Sequence, residues 1–361
     1  MLTDAVIRDH LADLAVPYLD QTLAEAGALK SVSVDGDRVS VNVALGFPCG
    51  GAHAAFIETI AERVRALEGV ADVVVAVDTR VQAHAVQRTL KRLESVKNII
   101  AVASGKGGVG KSTTACNLAL ALAADGAQVG ILDADIYGPS QPRMMGVSGR
   151  PDSPDGKTIE PKLAHGVQVM SIGFMVDDDT PVVWRGPMVT GALQQLLNET
   201  NWQALDYLIV DMPPGTGDLQ LTLSQQVPVA GAVIVTTPQD IALLDARKGL
   251  KMFEKVEVPV LGVVENMSVH ICSACGHKEP IFGEGGGQRM ASDYDVRFLG
   301  GLPLDIQIRE QADGGAPTVV ADPDGAIADS YKAISRAMSA ALSRRARDFS
   351  ARFPKIVIEN T

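Results

Sequence analysis

The side chains best placed to do chemistry lie in IIAVASGKGGVGKSTT, from Ile99 to Thr114, an apolar run that breaks into glycines and then opens a helix. Gly105, Gly110, Lys111 and Ser112 satisfy the phosphate-loop pattern G-x-x-x-x-G-K-[ST], in the strand-loop-helix context it demands. From Gly105 through Lys106, Gly107, Gly108, Val109 and Gly110, the loop can turn backbone N–H groups toward phosphate oxygens. Lys111 then reaches the β- and γ-phosphates, and the Ser112 hydroxyl, followed by Thr113, can ligate Mg²⁺.

Further acids follow apolar strands. Asp133-Ala-Asp135 ends one strand, and its two carboxylates leave on the same side, one suited to the magnesium shell and the other to orienting the attacking water. Asp211 ends Leu208-Ile209-Val210 in the Walker B manner, before the glycine-rich run Pro213-Pro214-Gly215-Thr216-Gly217. The third group is His270-Ile-Cys272-Ser-Ala-Cys275-Gly-His277. A C-x-x-C pair puts two thiolates on one turn, and a four-thiolate shell needs a second pair from a symmetric partner. Zinc with His270 or His277, a redox dithiol and a metal-free turn are the competing readings.

These groups need a frame, and the chain has one. Strands at Ile99–Ala103, Gln128–Leu132, Val167–Ser171, Tyr207–Val210, Ala232–Thr236, Val260–Val264 and Phe298–Leu302 alternate with helices at βαβ spacing. They predict an α/β fold, a mostly parallel sheet with helices on both faces, whose ligands gather at the carboxyl ends of the strands. Residues 1–85 predict a small α+β domain: a helix over Leu2–Glu25, a hairpin (Leu29–Val34, Arg38–Leu45), a helix over Ala54–Leu67 and a strand over Val70–Val77. Cys49, after the hairpin, reads as a reactive thiol or a small loop residue. A polar helical segment, Gln82–Lys97, leads into Ile99 as the linker, bounded at 86–98; the phosphate-loop domain occupies 99–345, and 346–361 form a tail.

With 361 residues, 46% of them hydrophobic, two packed domains are expected. The net charge of −11 argues against binding nucleic acid over the whole surface. No apolar run reaches membrane-spanning length and the N-terminus lacks the build of a signal peptide, so we expect a cytoplasmic protein with no stable membrane insertion.

The early lysine, Lys106, makes GKGGVGKST resemble the deviant Walker A loop of MinD, ParA and the nitrogenase iron protein. That resemblance implies a homodimer in which Lys106 crosses to the partner's nucleotide. Taken with DADIYGPS, Trp184-Arg185-Gly186-Pro187-Met188, DMPPGTGD, Thr236–Asp240, Glu265-Asn266-Met267-Ser268 and the cysteine pair, residues 98–345 resemble the Mrp/ApbC family of iron-sulfur cluster carrier ATPases. The first 85 residues resemble the small iron-sulfur-assembly domain that precedes many members. The family implies an Mg²⁺-dependent ATPase, with Lys106 and Lys111 on phosphate, Ser112 on Mg²⁺, Asp135 orienting water, and Asp133 and Asp211 in the magnesium second shell. It places Asn266 and the loop at Pro303–Asp305 on adenine, and a 4Fe-4S cluster bridging two chains through Cys272 and Cys275. Implied partners are scaffold proteins and iron-sulfur apoproteins. The alternative is a MinD/ParA-type positioning or partitioning switch acting through lipid or DNA, for which the basic run from Ser343 to Phe349 would be a lipid-binding tail. A nitrogenase-type reductase fits less well, because its cluster cysteines are not paired as C-x-x-C.

Overall fold

The structure, a computed structural model, describes residues 2–175, 186–272 and 274–348. Trp184, Arg185, Ser273 and Phe349 lie outside the described residues.

The N-terminal unit runs α1 (Asp4–Leu11), β1 (Leu29–Asp35), β2 (Arg38–Leu45), α2 (Gly50–Arg65) and β3 (Asp72–Thr79). Its sheet has the order β1-β2-β3, antiparallel then parallel. The helix expected over Leu2–Glu25 stops at Leu11. Pro17 lacks an N–H and disfavours helix at Val16, and Tyr18 takes a positive φ of 61°. The apolar spacing beyond Leu11 instead buries Val16, Leu19 and Leu23 from turns.

The large unit continues with β4 (Val96–Ala103), α3 (Lys111–Ala124), β5 (Val129–Asp133), α4 (Gln141–Met144), β6 (Lys162–Ala164), β7 (Val167–Ser171), α5 (Gly186–Glu199) and β8 (Leu205–Asp211). It then runs α6 (Asp218–Gln226), β9 (Gly231–Thr236), α7 (Asp240–Lys255), β10 (Val260–Glu265), β11 (His270–Ile271) and β12 (Lys278–Glu279). It closes with α8 (Gly286–Asp293), β13 (Phe298–Gly301), α9 (Ile306–Asp313), α10 (Thr318–Ala321) and α11 (Ala326–Ser343). The sheet order is β13-β10-β9-β4-β8-β5-β7-β6, parallel except for the short edge strand β6. Each expected strand is present, within a few residues. Central strands read VKNIIAVA, GAVIVT and LDYLIVD because both faces are covered, which removes the alternation of a half-exposed strand.

The segment expected to be helical over Gln82–Lys97 is not a helix. It lies extended on the large unit, with the Gln87 amide donating to the carbonyls of Ser224 (2.8 Å) and Val227 (3.2 Å) and Asn98 Oδ1 accepting from the His84 N–H (3.1 Å). Its last residues, from Val96, already belong to β4.

An ion pair within the large unit anchors polar contacts to the N-terminal one, and Arg297 pairs with Asp20 across the two (2.6 Å). Asp125, capping the far end of α3, takes Arg336 of α11 on both oxygens (2.7 and 2.8 Å). The same carboxylate accepts the Gly51 N–H at the start of α2 (2.9 Å), and Tyr18 Oη lies 3.2 Å from Arg336 Nη1. A Cβ at Gly51 would fall 2.6 Å from Arg336 Nη2, so glycine permits this approach. Cys49, at the foot of α2, is 1% exposed, and burial, with the Asp125 charge second, pushes its thiol up to about 12. That is the behaviour of a packed loop residue rather than a reactive thiol.

Candidate nucleotide site and cysteine hairpin

Strand register brings the expected acids together. Asp133 pairs with Asp211 across β5–β8, and Asp211 with Val102 of β4, the strand that feeds the phosphate loop. The loop's shape depends on glycines at positive φ, Gly108 and Gly110, both at 80°. Gly105 is required by crowding, since a Cβ there would sit 2.1 Å from the α7 backbone at Asp245. Asn266, just past β10, donates from Nδ2 to the Val109 carbonyl (2.9 Å) and thereby braces the loop from below.

Lys111, 6% exposed, forms an ion pair with Asp211, which is wholly buried, and its ammonium lies 3.0 Å from Ser112 Oγ. Gln141 Nε2 donates to the other Asp211 oxygen (2.8 Å) and to the Ser112 carbonyl (3.0 Å). Asp133 turns inward. Its carboxylate accepts the N–H groups of Asp135 (3.1 Å), Ser140 (2.9 Å) and Gln141 (3.0 Å) and the Ser171 hydroxyl (3.1 Å), pinning the loop over 134–141. Burial, reinforced by the Asp211 charge, raises its pKa above the usual carboxylate range. Asp135 is half-buried, and burial raises it as well, opposed by the charge on Lys111. Lys106 is half-buried in the loop.

Beside the loop lies a cavity of about 410 Å³. Its lining includes Gly110, Ser112 and Thr113 of the phosphate loop and α3, Asn266, Pro303 and Asp305 beyond β10 and β13, and Arg143 and Ile308. It runs from the phosphate end to the residues expected on a base.

The cysteines stand on the β11–β12 hairpin. The Cys272 N–H donates to the His277 carbonyl (2.9 Å) and the Gly276 N–H to that of Cys272 (2.8 Å), with Gly276 at φ 70°. Cys272 is partly exposed and Cys275 exposed. The Ala274 and then the Cys275 N–H groups point at the Cys272 sulfur and lower its pKa, favouring the thiolate that ligates metal. His270 Nδ1 lies 3.1 Å from the Leu304 carbonyl. Among the described residues no set of three or more His, Cys, Asp or Glu is placed to hold a metal ion.

Hairpin and cavity share supports. Ser268 donates its N–H to Leu302 (2.9 Å), Leu304 to Val269 (2.8 Å), and Leu304 lines the cavity. Three features escaped the sequence: Gln141, the Asn266–Val109 brace and this shared support. A lone glutamine in a loop and an asparagine after a strand carry no periodic signal, and carbonyl contacts leave none.

Fold and site together define a P-loop NTPase. The model of the NUBPL iron-transfer P-loop NTPases, within the ParA group, matches residues 95–339, and the chain belongs to that family. A model of iron-sulfur cluster assembly proteins matches residues 4–77. The chain is 51% identical over 345 residues to the iron-sulfur cluster carrier protein of Escherichia coli K12, covering 94% of this chain and 92% of that one. It is 62% identical over 271 residues to the protein of the same description from Pseudomonas fragi (74% and 94%). With the mouse iron-sulfur cluster transfer protein NUBPL the identity is 54% over 243 residues (67% and 76%). Among solved structures, a nucleotide-binding protein from Archaeoglobus fulgidus in complex with ADP superposes with a TM-score of 0.57 at 39% identity, covering 65% of this chain and 91% of that one. The cell-division ATPase MinD of Pyrococcus furiosus, at 23% identity and TM-score 0.51 over 67% and 98%, shares the fold.

Proposed function

We propose that this protein binds and hydrolyses ATP and carries an iron-sulfur cluster, held between two copies of the chain and passed on to apoproteins. The observation that carries the reading is the cysteine hairpin: two thiols, one biased toward thiolate, presented outward on a support shared with the nucleotide cavity. Two thiolates make half of a four-thiolate shell, and a two-fold axis supplies the other half. Relatives described as cluster carriers span nearly the whole chain, which favours this reading over a positioning switch.

Within it, Lys111 leaves Asp211 to hold the β- and γ-phosphates, Asp135 orients the attacking water, and Lys106 reaches the partner's nucleotide as a cation delivered in trans. Asn266 and Pro303 flank the adenine. Mg²⁺ suits the donors present, a hydroxyl beside a buried acid: Ser112 would hold it, with Asp211 outside that shell. The metal's contribution is to neutralise charge on the phosphates. Asp133 acts through the loop it pins. The cargo is of the 4Fe-4S type, and scaffold proteins and apoproteins are the donors and recipients. No helix among the described residues is long and apolar enough to cross a membrane, and we place the protein in the cytoplasm. We take residues 1–85 as the assembly-type unit, 86–98 as its linker, 99–345 as the ATPase and 346–361 as a tail.

Anaerobic reconstitution with iron and sulfide, followed by mixing with an apo-ferredoxin, tests the carrier role. Wild type should take up cluster and activate the acceptor, whereas Cys272→Ala and Cys275→Ala should do neither. Equal uptake by all three, or none by wild type, would refute it.

A further inference from the structure

Gln141 is the first residue of α4 and is completely buried. Its carboxamide faces two acceptors, Asp211 Oδ2 at 2.8 Å and the Ser112 carbonyl at 3.0 Å. Only one orientation satisfies both, because a flipped amide would press Oε1 against a carboxylate and a carbonyl. Its backbone N–H meanwhile donates to Asp133 Oδ2 at 3.0 Å. One residue thus joins the first turn of α3, the acid ending β8 and the acid ending β5.

Among the described residues the Asp211 carboxylate is held by Lys111 on Oδ1 and Gln141 on Oδ2. On the ATPase reading proposed above, on which this inference rests, Lys111 transfers to phosphate. The wholly buried Asp211 then loses its cation, and the donor left to it among the described residues is Gln141 Nε2. Buried charge is tolerated when hydrogen-bonded and costly when not. Oε1 of Gln141 and Oγ of its neighbour Ser140 are both buried without a hydrogen-bond partner among the described residues, and Ser140 lines the cavity. Of the two, the Ser140 hydroxyl stands on the cavity lining, where it can meet polar ligand atoms or their water.

We infer that Gln141 is a positioning residue for nucleotide hydrolysis: it keeps Asp211 aimed, and α3 locked to the loop over 134–141, while Lys111 is engaged by phosphate. The requirement arises with Mg²⁺-nucleotide bound, so the residue acts on turnover and on metal-dependent affinity rather than on nucleotide binding as such.

The test compares wild type, Gln141→Met, which keeps length and burial but removes both donors, and Gln141→Asn, which keeps the amide on a shorter stem. Steady-state hydrolysis is read with melting temperature and with binding of a fluorescent ADP analogue, with Mg²⁺ and with chelator. Losing a hydrogen bond to a charged group should lower kcat in the Met variant on the order of tenfold or more, with KM for ATP changed less than about threefold. ADP binding in chelator should match wild type, while the gain on adding Mg²⁺ shrinks. The Asn variant should fall between the two, which keeps the test open if the Met variant does not fold. A Met variant with wild-type kcat and wild-type Mg²⁺ gain, or one altered only in melting temperature, would overturn the inference. Absence of hydrolysis in wild type would instead overturn the ATPase reading, with Lys111→Ala as the inactive reference.

Discussion

At the carboxyl ends of β4, β5 and β8 Lys111, Asp133, Gln141 and Asp211 are buried and hold one another; on the β11–β12 hairpin the two thiols sit in the turn between strands of two residues and face outward. Lys111, Asp211, Gln141 and Asp133 form one connected network within a single chain. Cys272 has backbone N–H groups turned toward it, but no third ligand stands near among the described residues. The contrast separates two ways of building a site. One is preorganised by the sheet, while the other, on the proposed carrier reading, is a half-site that a second copy completes. The shared support through Ser268, Leu302 and Leu304 is where one can influence the other.

The sharpest way to break this contrast is to remove a group from each side. Lys111→Ala should reduce ATP hydrolysis by about a hundredfold or more, and should also cost about 3 kcal/mol of stability by leaving Asp211 as an uncompensated buried charge; hydrolysis assays and urea unfolding report both. Cys272→Ala should behave in the opposite way, abolishing cluster uptake while unfolding free energy changes by less than about 0.5 kcal/mol. A large stability loss in the cysteine variant would show that the hairpin belongs to the core.

Thiol accessibility sharpens the same line. In metal-free native protein, Cys272 and Cys275 should be alkylated first, and Cys49 and Cys116 should stay protected until unfolding, as peptide mass spectrometry can follow. Cys49 is 1% exposed with its thiol pushed up to about 12, and Cys116 is fully buried. Cys272 should react at a lower pH than a free cysteine, because its depressed pKa populates thiolate sooner. Smaller effects are expected at the supports. Asn266→Ala should weaken nucleotide binding about fivefold by titration, one hydrogen bond's worth. His270→Phe should leave cluster uptake and nucleotide affinity intact and reduce the effect of ATP on cluster release.

Much of the nucleotide site was legible because phosphate binding imposes glycines and a lysine at fixed spacing, and because parallel strands deliver their last residues to one edge. Asp133, Asp135 and Asp211 could be placed by that rule alone. Which way each carboxylate turns could not: Asp133 is consumed by four donors on residues 135, 140, 141 and 171, contacts that depend on how the loop closes. The two misread helices share a cause. Val16, Leu19 and Leu23 are apolar at near-helical spacing yet are buried from turns after Pro17, and Gln87 looks solvated but spends its amide on carbonyls of the large unit. Periodicity reports burial, and a chain can bury residues without a helix.

The central claim, that two chains complete one cluster site, is tested most directly by native mass spectrometry of the anaerobically reconstituted protein. The account predicts a dimer carrying a single 4Fe-4S cluster, with monomer alone for Cys272→Ala and Cys275→Ala under cluster-loading conditions without nucleotide. A cluster on each monomer, or a cluster-loaded dimer of the double cysteine variant, would contradict it.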